Sequence, residues 1–458
     1  MKIYKFVCVA TVLLTLVAVI LPAETGDDGE FGEGFGAGFS DNSEFDSFGA
    51  ASSGPEISGS LEFVNRIFPD VDDPAASEFD AWPELKLRLG AENDHGSFAV
   101  ELAFDNALMD PALDLNQLIR EASVRMFAGP VTMEFGLLRR VWGKGDELHV
   151  VDVLNATDYS DPGSGGYLDS RIAIPMAVLE APFRQQGLLE VAYVPVLVAD
   201  RIPADGRWAP AEYTDLLTLA AAGVILAGPP ARTTLDSAQV GVRLTDTFGP
   251  LDLGLVYYYG YLKQPSVDRT AFIPMPVPSG TITLDYDRVH VAGAEAAAVA
   301  GPLNLRGEAA WYATADTEGD NPAVSNPSVR YLAGFDIDIP ISNLNLNAQV
   351  LGSVLLLTEQ IGDNGPIDFE HDDDGVYTSH LIAGSLRDTY AGERFTAELG
   401  GAWYVETGDF VVRPALTIGF GDVLTMRIGG TLFEGDANTF LGQYDENDFL
   451  EIELAYDY

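Results

Sequence analysis

Apolar and polar residues alternate with a period of two along most of the chain that follows Ser58. Because successive side chains of an extended strand point to opposite faces, this spacing predicts β-strands with one apolar and one polar face. Residues 303–312, 395–405 and 424–432 show the alternation, and it slips around Arg288-Val289. At the end of the chain, five apolar residues share one face: Leu450, Ile452, Leu454, Tyr456 and Tyr458.

The connections between the predicted strands are sorted by length. Short turns are predicted at 93–96, 128–130, 184–187, 248–250, 300–302, 341–343, 391–394 and 420–423. Longer loops lie between them, with one exception at Gly408-Asp409. A soluble sandwich gives no reason for such sorting, whereas outer-membrane barrels have short periplasmic turns and long extracellular loops. The sequence therefore predicts an all-β protein, an antiparallel transmembrane β-barrel of about 18 strands (16–18) over residues 58–458.

The last nine residues also resemble the C-terminal signal of bacterial outer-membrane proteins, an alternating strand that ends on an aromatic residue. Here that residue is Tyr458. The resemblance implies a location in the outer membrane of a diderm bacterium and recognition of the last strand by the barrel-assembly machinery. It also implies contact of the apolar face with outer-membrane lipid, including lipopolysaccharide-type surface lipids.

Two segments precede the predicted barrel. Residues 1–23 combine Lys2 and Lys5 with an apolar run and end at Pro22-Ala23, which predicts a cleaved signal peptide; the alternative is an uncleaved membrane anchor. Residues 24–57 are acidic, contain no lysine or arginine, and space phenylalanines among glycines and serines. We interpret them as a disordered periplasmic leader. Its phenylalanines serve either as part of a plain spacer or as contacts for a partner or the barrel mouth.

Composition excludes several classes of function. The formal charge is -45, which makes nucleic acid an unfavourable partner because phosphate binding needs a basic surface. The single cysteine, Cys8, lies in the signal peptide, so the mature chain has no thiol chemistry. Neither a nucleophile elbow nor a paired-histidine metal motif is present, and we expect no enzyme and no cofactor. A hydrolase built on His149 is kept only as a remote hypothesis.

In a membrane barrel the polar faces of the strands line the lumen. Fixed charges of both signs across a narrow lumen order water and select solutes by charge and dipole. Any one pair could exist only to satisfy its two charges, but the whole set indicates a wet interior, because a dry core does not hold so many charges. The candidate pore-lining residues are Lys86, Arg88, Arg125, Arg243, Arg306, Arg413, Arg427, Glu101, Glu134, Glu308 and Glu398.

Residues 139–161 resemble a segment of porin-like and polysaccharide-exporter-like outer-membrane barrels. The resemblance rests on Trp142-Gly143 and on the spacing of Asp152, Asn155 and Asp158. It implies a loop that folds into the barrel, although the sequence equally allows a loop outside. The candidate constriction residues are Arg139, Arg140, Trp142, Lys144 and Asp146.

Two other predicted loops carry distinctive residues. Asp372, Asp373 and Asp374 are a weak candidate for Ca²⁺ or Mg²⁺, but the spacing of a calcium loop is absent, and a solvated acidic loop explains them as well. We assign no metal there. Residues 199–235 contain a helix-compatible stretch from Ala211 to Leu226, which predicts a lid at the mouth or a cover for the rim.

These features favour a porin-like channel for diffusion of small polar solutes or ions through a mixed-charge lumen. The alternative is a surface-exposed barrel that binds a partner through its acidic extracellular loops and has no significant conductance. The sequence leaves open whether several copies assemble as a homo-oligomer.

Overall fold

The computed structural model describes residues 55–69, 77–104, 118–146, 148–161, 166–274, 277–361 and 377–458. The predicted signal peptide, the leader up to residue 54 and the acidic residues Asp372, Asp373 and Asp374 lie outside this part. Within it, 18 antiparallel strands form one closed sheet, as the alternation predicts. The barrel begins at Glu56, two residues before the predicted boundary.

Each strand pairs with the strands before and after it in the chain, and the sheet closes because β1 also pairs with β18. The strands are β1 (Glu56–Phe68), β2 (Glu78–Asn93), β3 (Gly96–Phe104), β4 (Ile119–Ala128), β5 (Val131–Leu138), β6 (Ile174–Phe183), β7 (Gly187–Val194), β8 (Gln239–Phe248), β9 (Leu251–Tyr261), β10 (Arg288–Ala300), β11 (Leu303–Thr314), β12 (Ser328–Ile339), β13 (Leu344–Leu355), β14 (Thr378–Tyr390), β15 (Phe395–Tyr404), β16 (Phe410–Gly419), β17 (Leu424–Glu434) and β18 (Phe449–Asp457).

The closing seam joins the two ends of the barrel. Gly59 N donates to the Tyr458 carbonyl oxygen at 3.1 Å, and Tyr458 N donates back to Gly59 at 3.0 Å. Both ends of the sheet therefore lie at the edge that carries the short turns. All eight predicted short turns are found at this edge, and the connection 405–409 is the short loop at the opposite edge.

The outer surface of the barrel is apolar. The residues that the alternation places on the lipid side are exposed, while their neighbours on the same strands point inward and are more buried. Closing the sheet satisfies the strand backbone, so that the outer surface meets lipid with mainly apolar side chains. Exposed large side chains on this surface include Ile57, Phe63, Leu255, Trp311, Leu399, Trp403, Ile452 and Tyr456.

Outside the barrel sheet, the longest described connections form a small layer of their own. Helix α1 (Ala211–Ala221) begins after Pro210 and ends where Gly223 adopts a φ of +106°, a conformation that favours glycine. The helix is thus shorter than the predicted stretch, because Ile225–Ala227 pairs as a parallel strand with Ser279–Asp285. No helix among the described residues is long and apolar enough to cross a membrane.

The slip in alternation near Arg288 has a structural cause. Ser279–Asp285 belongs to this outer layer, where it also pairs with Ser266–Asp268 and Phe272–Ile273. The barrel strand starts only at Arg288. Two different strands therefore meet at this point of the sequence, each with its own apolar face. A second short helix, α2 (Thr234–Ser237), precedes β8.

Candidate functional site in the barrel interior

The connection between β5 and β6, residues 139–173, folds into the barrel and is called the inner loop below. Its apolar side chains pack against the inward faces of β5–β12, and burial of this surface holds the loop in the lumen. The inner loop contributes Trp142, Val150, Val151, Val153 and Leu154 to this core. The wall contributes Leu138, Ile174, Met176, Val178, Ala192, Val194, Val256, Tyr258, Val289, Val291, Ala310, Tyr312 and Leu332.

Trp142 has the largest side chain of this core and is 0% exposed. Its indole Nε1 donates to Glu190 of β7 at 2.8 Å, so the polar edge of the ring also has a partner. The ring lies against Gly241 of β8, where an added Cβ atom would stand 2.6 Å from Trp142 Cη2. A side chain at position 241 would therefore push the ring off the wall.

Glu308 of β11 fixes the tip of the inner loop. Its carboxylate contacts the backbone nitrogens of Lys144, Gly145, Val150 and Val151 at 2.7, 2.7, 2.7 and 3.2 Å, and His149 Nδ1 at 3.1 Å. A buried carboxylate needs such donors, and here the loop supplies five. The approach is close, since an added Cβ atom at Gly143 would stand 2.4 Å from Glu308 Oε1.

Asp146 makes the second attachment at the tip. Its carboxylate accepts a hydrogen bond from Asn347 and lies 3.4 Å from Arg306, while its backbone nitrogen donates to Gln349 at 3.1 Å. These partners belong to β11 and β13, six and eight strands away from β5. Since nine strands separate opposite walls of an 18-stranded barrel, the inner loop crosses most of the lumen.

Arg139 and Arg140, at the start of the inner loop, join a buried network of ion pairs. Arg139 lies 3.2 Å from Glu121 and 3.4 Å from Glu101, and Arg140 lies 2.7 Å from Glu134. Such buried pairs fix geometry, because loss of one partner leaves the other charge uncompensated. The network continues along the wall through Arg88–Glu101 at 2.9 Å, Arg125–Glu134 at 3.0 Å and Arg243–Glu295 at 2.7 Å.

The spaced Asp152, Asn155 and Asp158 hold the inner loop to itself and to its neighbour. Asp152 lies 2.7 Å from Arg171, and Asp158 pairs with Arg201 of the next long connection. Asn155 donates to the backbone carbonyls on both sides of the base of the loop, each at 2.8 Å. Burial raises the pKa of the Asp152 carboxyl, which the Arg171 guanidinium opposes.

The connection between β7 and β8, residues 195–238, crosses the extracellular mouth and is called the strap below. Its Trp208 docks on the far rim at β1, β17 and β18, which lie six to eight strands from β7 around the barrel, and the Asn447 side chain donates to the Arg207 carbonyl there at 2.6 Å. The ring of Trp208 packs against four aromatic rings: Phe68 at 6.4 Å, Phe433 at 5.9 Å, Tyr444 at 5.6 Å and Phe449 at 6.3 Å between centroids.

Two cavities lie on either side of the inner loop. The larger has a volume of about 1090 Å³ and is lined by β1–β4 and β16–β18. The smaller has a volume of about 280 Å³ and lies at the extracellular end beside β9–β13. The returning part of the inner loop separates them, because Asp158 and Ser160 face the larger cavity while Thr157 and Tyr159 face the smaller.

The structure places the candidate pore-lining residues in two groups. Lys86, Glu101, Arg413 and Arg427 line the larger cavity, and Glu398 is exposed on the inward side of β15. The others are engaged in ion pairs or hydrogen bonds of the interior, where Arg306 pairs with Asp336 of β12 in addition to the contacts described above. That group consists of Arg88, Arg125, Glu134, Arg243, Arg306 and Glu308.

Several residues of the site were missed by the sequence reasoning. Arg66 of β1 pairs with Glu451 at 2.6 Å and also with Asp161, which ties the inner loop to the wall opposite its tip. Glu190 and Glu295 complete the buried network. A signal for these two exists, because each is a single acidic residue inside an otherwise apolar strand.

The candidate metal residues Asp372, Asp373 and Asp374 lie outside the described residues. Within the described ranges, no group of three or more histidine, cysteine, aspartate or glutamate side chains is arranged to hold a metal ion. His149, the residue of the remote hydrolase hypothesis, is placed against Glu308 at the tip of the inner loop.

A closed antiparallel barrel with an even number of strands, an apolar outer surface and a charged interior is the architecture of bacterial outer-membrane proteins. The chain therefore has the fold of an outer-membrane β-barrel, and this architecture places it in the outer membrane of a diderm bacterium.

No protein-family model matches the sequence, and no curated protein matches it significantly. Among solved structures, the chain is similar to OpdQ of Pseudomonas aeruginosa, with 11% identity over 88% of this chain and 97% of that chain and a TM-score of 0.45. Acinetobacter baumannii OccAB4 gives the same identity and coverage with a TM-score of 0.46. The chain is also similar to the outer membrane channel DcaP of Acinetobacter baumannii, with 10% identity over 88% of this chain and 97% of that chain and a TM-score of 0.40. The fold assignment rests on the strand pairing of this chain itself.

Proposed function

We propose that the protein is a porin-like channel through which small polar solutes and ions diffuse. The observation that carries this proposal is the larger cavity, a polar-lined space of about 1090 Å³ that remains inside the barrel beside the inner loop. In an 18-stranded barrel the wall side chains alone do not fill the interior, so the unfilled side is the natural route for water and solutes.

The inner loop acts as the constriction in this proposal. It crosses most of the lumen, is held by Glu308 at its tip and by Arg139 and Arg140 at its base, and borders the larger cavity, through which we propose that the solute passes. Trp142 anchors it to the wall, and Asp146 and Lys144 lie at the tip. A rigid loop sets a fixed size limit, because its position does not depend on the solute.

The charge of the larger cavity sets the selectivity. Nine carboxylates and five basic side chains line it, a formal surplus of four negative charges. Basic side chains of the lining lie against carboxylates, as for Lys86 and Glu62 at 3.3 Å and for Arg427 and Glu451 at 2.9 Å. The mixed charges select polar solutes, and the surplus favours cations over anions.

A channel of this kind has two kinds of partner, the lipid around it and the machinery that assembles it. The apolar outer surface contacts outer-membrane lipid, including lipopolysaccharide-type surface lipids at the loop side, and the barrel-assembly machinery recognises β18 with its terminal Tyr458. The number of copies in a homo-oligomer is measured by the mass of the protein in detergent.

The experiment that tests the channel is planar-bilayer conductance of the refolded protein from Glu24 to Tyr458, with the reversal potential measured under a salt gradient. We expect stable conductance steps and a reversal potential on the cation side. The Glu308→Ala variant removes the acceptor of five loop donors, so we expect larger and noisier steps as the tip leaves the wall. Glu393→Ala, exposed at the short turn between β14 and β15, is the matched control and leaves the step size near that of the original protein.

A folded, heat-modifiable barrel that never conducts would refute the channel. That result would favour the alternative function, a surface-exposed barrel whose extracellular loops bind a partner. Conductance that is unchanged in Glu308→Ala would instead refute the inner loop as the constriction, while leaving the channel itself in place.

A further inference from the structure

The smaller cavity is a compartment distinct from the proposed passage. It lies at the extracellular end between the inner loop and the ends of β9–β13, and its volume of about 280 Å³ is close to the lower limit of small-molecule pockets, roughly 300 Å³. The inner loop separates it from the larger cavity. A molecule bound here does not have to block the route beside β1 and β18.

The pocket carries the opposite sign of charge to the passage. Three basic side chains line it, Lys263, Arg171 and Arg330, against two carboxylates, Asp152 and Asp200. Both carboxylates are engaged, because Asp152 lies 2.7 Å from Arg171 and Asp200 accepts a hydrogen bond from Thr157 N at 2.7 Å. The formal surplus is thus one positive charge, whereas the larger cavity has a surplus of four negative charges.

Lys263 is the source of this surplus. Its ammonium group is buried and donates to two neutral oxygens, Gln239 Oε1 at 2.8 Å and Tyr258 OH at 3.3 Å. A buried ammonium is costly unless an opposite charge meets it. Neither hydrogen-bond partner carries one, and the nearby carboxylates of Asp200 and Asp152 offset the effect of burial only in part. A carboxylate brought into the pocket would supply that charge.

The rest of the lining is rich in groups that recognise hydroxylated molecules. Four tyrosines, several threonine and serine hydroxyls and two asparagine amides face the pocket. Aromatic rings offer flat apolar surface, and hydroxyl and amide groups both donate and accept, so together they suit a polyhydroxylated ring.

We propose that the smaller cavity is a binding site for a monosaccharide-sized sugar acid, whose carboxylate meets Lys263 and whose hydroxyl groups meet the polar lining. The site goes beyond the proposed function, because binding here does not require that the barrel conducts.

The test compares two probes that differ only in the carboxylate, galacturonate and galactose. Binding to the refolded barrel in detergent is measured by isothermal titration, which needs no conductance. We expect galacturonate to bind at least about tenfold more tightly than galactose, a factor that corresponds to about 1.4 kcal/mol. In Lys263→Met the affinity for galacturonate falls by at least the same factor.

Two controls keep the result interpretable. Arg394→Met removes one positive charge at a short turn, at the opposite end of the barrel from the pocket, and keeps galacturonate affinity unchanged. Heat-modified mobility shows that Lys263→Met is folded. Equal binding of galactose and galacturonate would overturn the role of the carboxylate, and unchanged binding in Lys263→Met would overturn the site. Neither result bears on whether the barrel is a channel.

Discussion

The two halves of the barrel interior are built from the same kind of strand but filled differently. Along β5–β12 the inward faces are apolar and meet the inner loop in a dry core, with ion pairs buried below it. In the other half, β13–β18 and β1–β4, the inward faces carry charged side chains, and β16–β18 and β1–β4 border the larger cavity. The side chains of Arg139 and Arg427 show the difference, since they are 2% and 41% exposed.

The comparison shows that the side chains on the inward faces of the strands determine on which side of the lumen the inner loop packs. Trp142 and Leu154 find their apolar partners on the β5–β12 side of the lumen. On the other side, docking would bury charged groups such as Lys86 and Glu453 without new partners, which is costly. The filled half therefore gives rigidity, and the unfilled half gives the proposed passage.

The largest expected effect comes from emptying the core of the filled half. Trp142→Ala leaves a cavity and removes the donor to Glu190, so we expect the free energy of unfolding to fall by about 3–5 kcal/mol. Urea-induced unfolding in lipid vesicles measures it. The matched control is Trp311→Ala, whose ring is 51% exposed on the lipid side and should cost clearly less. Equal losses in both variants would show that the inner loop is not packed on the wall.

A second variant tests the strap that joins the two halves across the mouth. Trp208→Ala removes the ring that packs among four aromatic residues of the far rim, and we expect the strap to detach there. Since residues 24–458 contain no cysteine, Ser160→Cys in the larger cavity provides a single thiol in the refolded protein from Glu24 to Tyr458. We expect its labelling from the loop side to become several-fold faster in the Trp208→Ala background. Trp403→Ala, exposed on the lipid side, is the control and leaves the rate unchanged.

The two halves also differ in how far the sequence predicts them. Alternation is clearest in 395–405, 424–432 and 450–458, all in the unfilled half, because their inward faces meet water. In the filled half, β6 and β7 read as almost continuous apolar runs, since both faces are buried or lipid-facing. Loss of alternation is therefore the signal that marks the wall on which a loop docks.

The sequence predicted strand number, turns and closure because these depend on local patterns. The tip contacts of the inner loop were not predictable, because Glu308 meets residues 157–164 positions away in the chain, and no local pattern links such distant positions. Lys263 was missed for the same reason. Its partners, Gln239 and Tyr258, come from two different strands.

The ionisation of Lys263, in the pocket beside the filled half, makes the free energy of unfolding depend on pH. Burial lowers the pKa of its ammonium to about 8 against the partial opposition of Asp200 and Asp152, while the unfolded chain keeps the ordinary value near 10.5. Between these values the unfolded state binds more protons, so stability rises as pH increases from 8 to 10.5 and the burial cost is fully present below 8.

We therefore expect Lys263→Met to be more stable than the original protein at pH 7, by up to about 3 kcal/mol. The variant should also lose the rise in stability above pH 8. Urea unfolding at pH 7 and pH 10 measures both. A variant that is less stable at pH 7 would show that the contacts to Gln239 and Tyr258 outweigh the cost of burial.

The smallest expected effect on stability, and the sharpest test of the unfilled half, concerns Arg427. Its pair with Glu451 spans 2.9 Å but is partly exposed, so Arg427→Gln should change the free energy of unfolding by less than about 1 kcal/mol. The variant nevertheless makes the lining of the larger cavity one charge more negative, and we expect the reversal potential to shift further to the cation side. Glu453→Gln, in the same cavity, should shift it the other way. A reversal potential that is the same in both variants would show that ions do not pass along this wall.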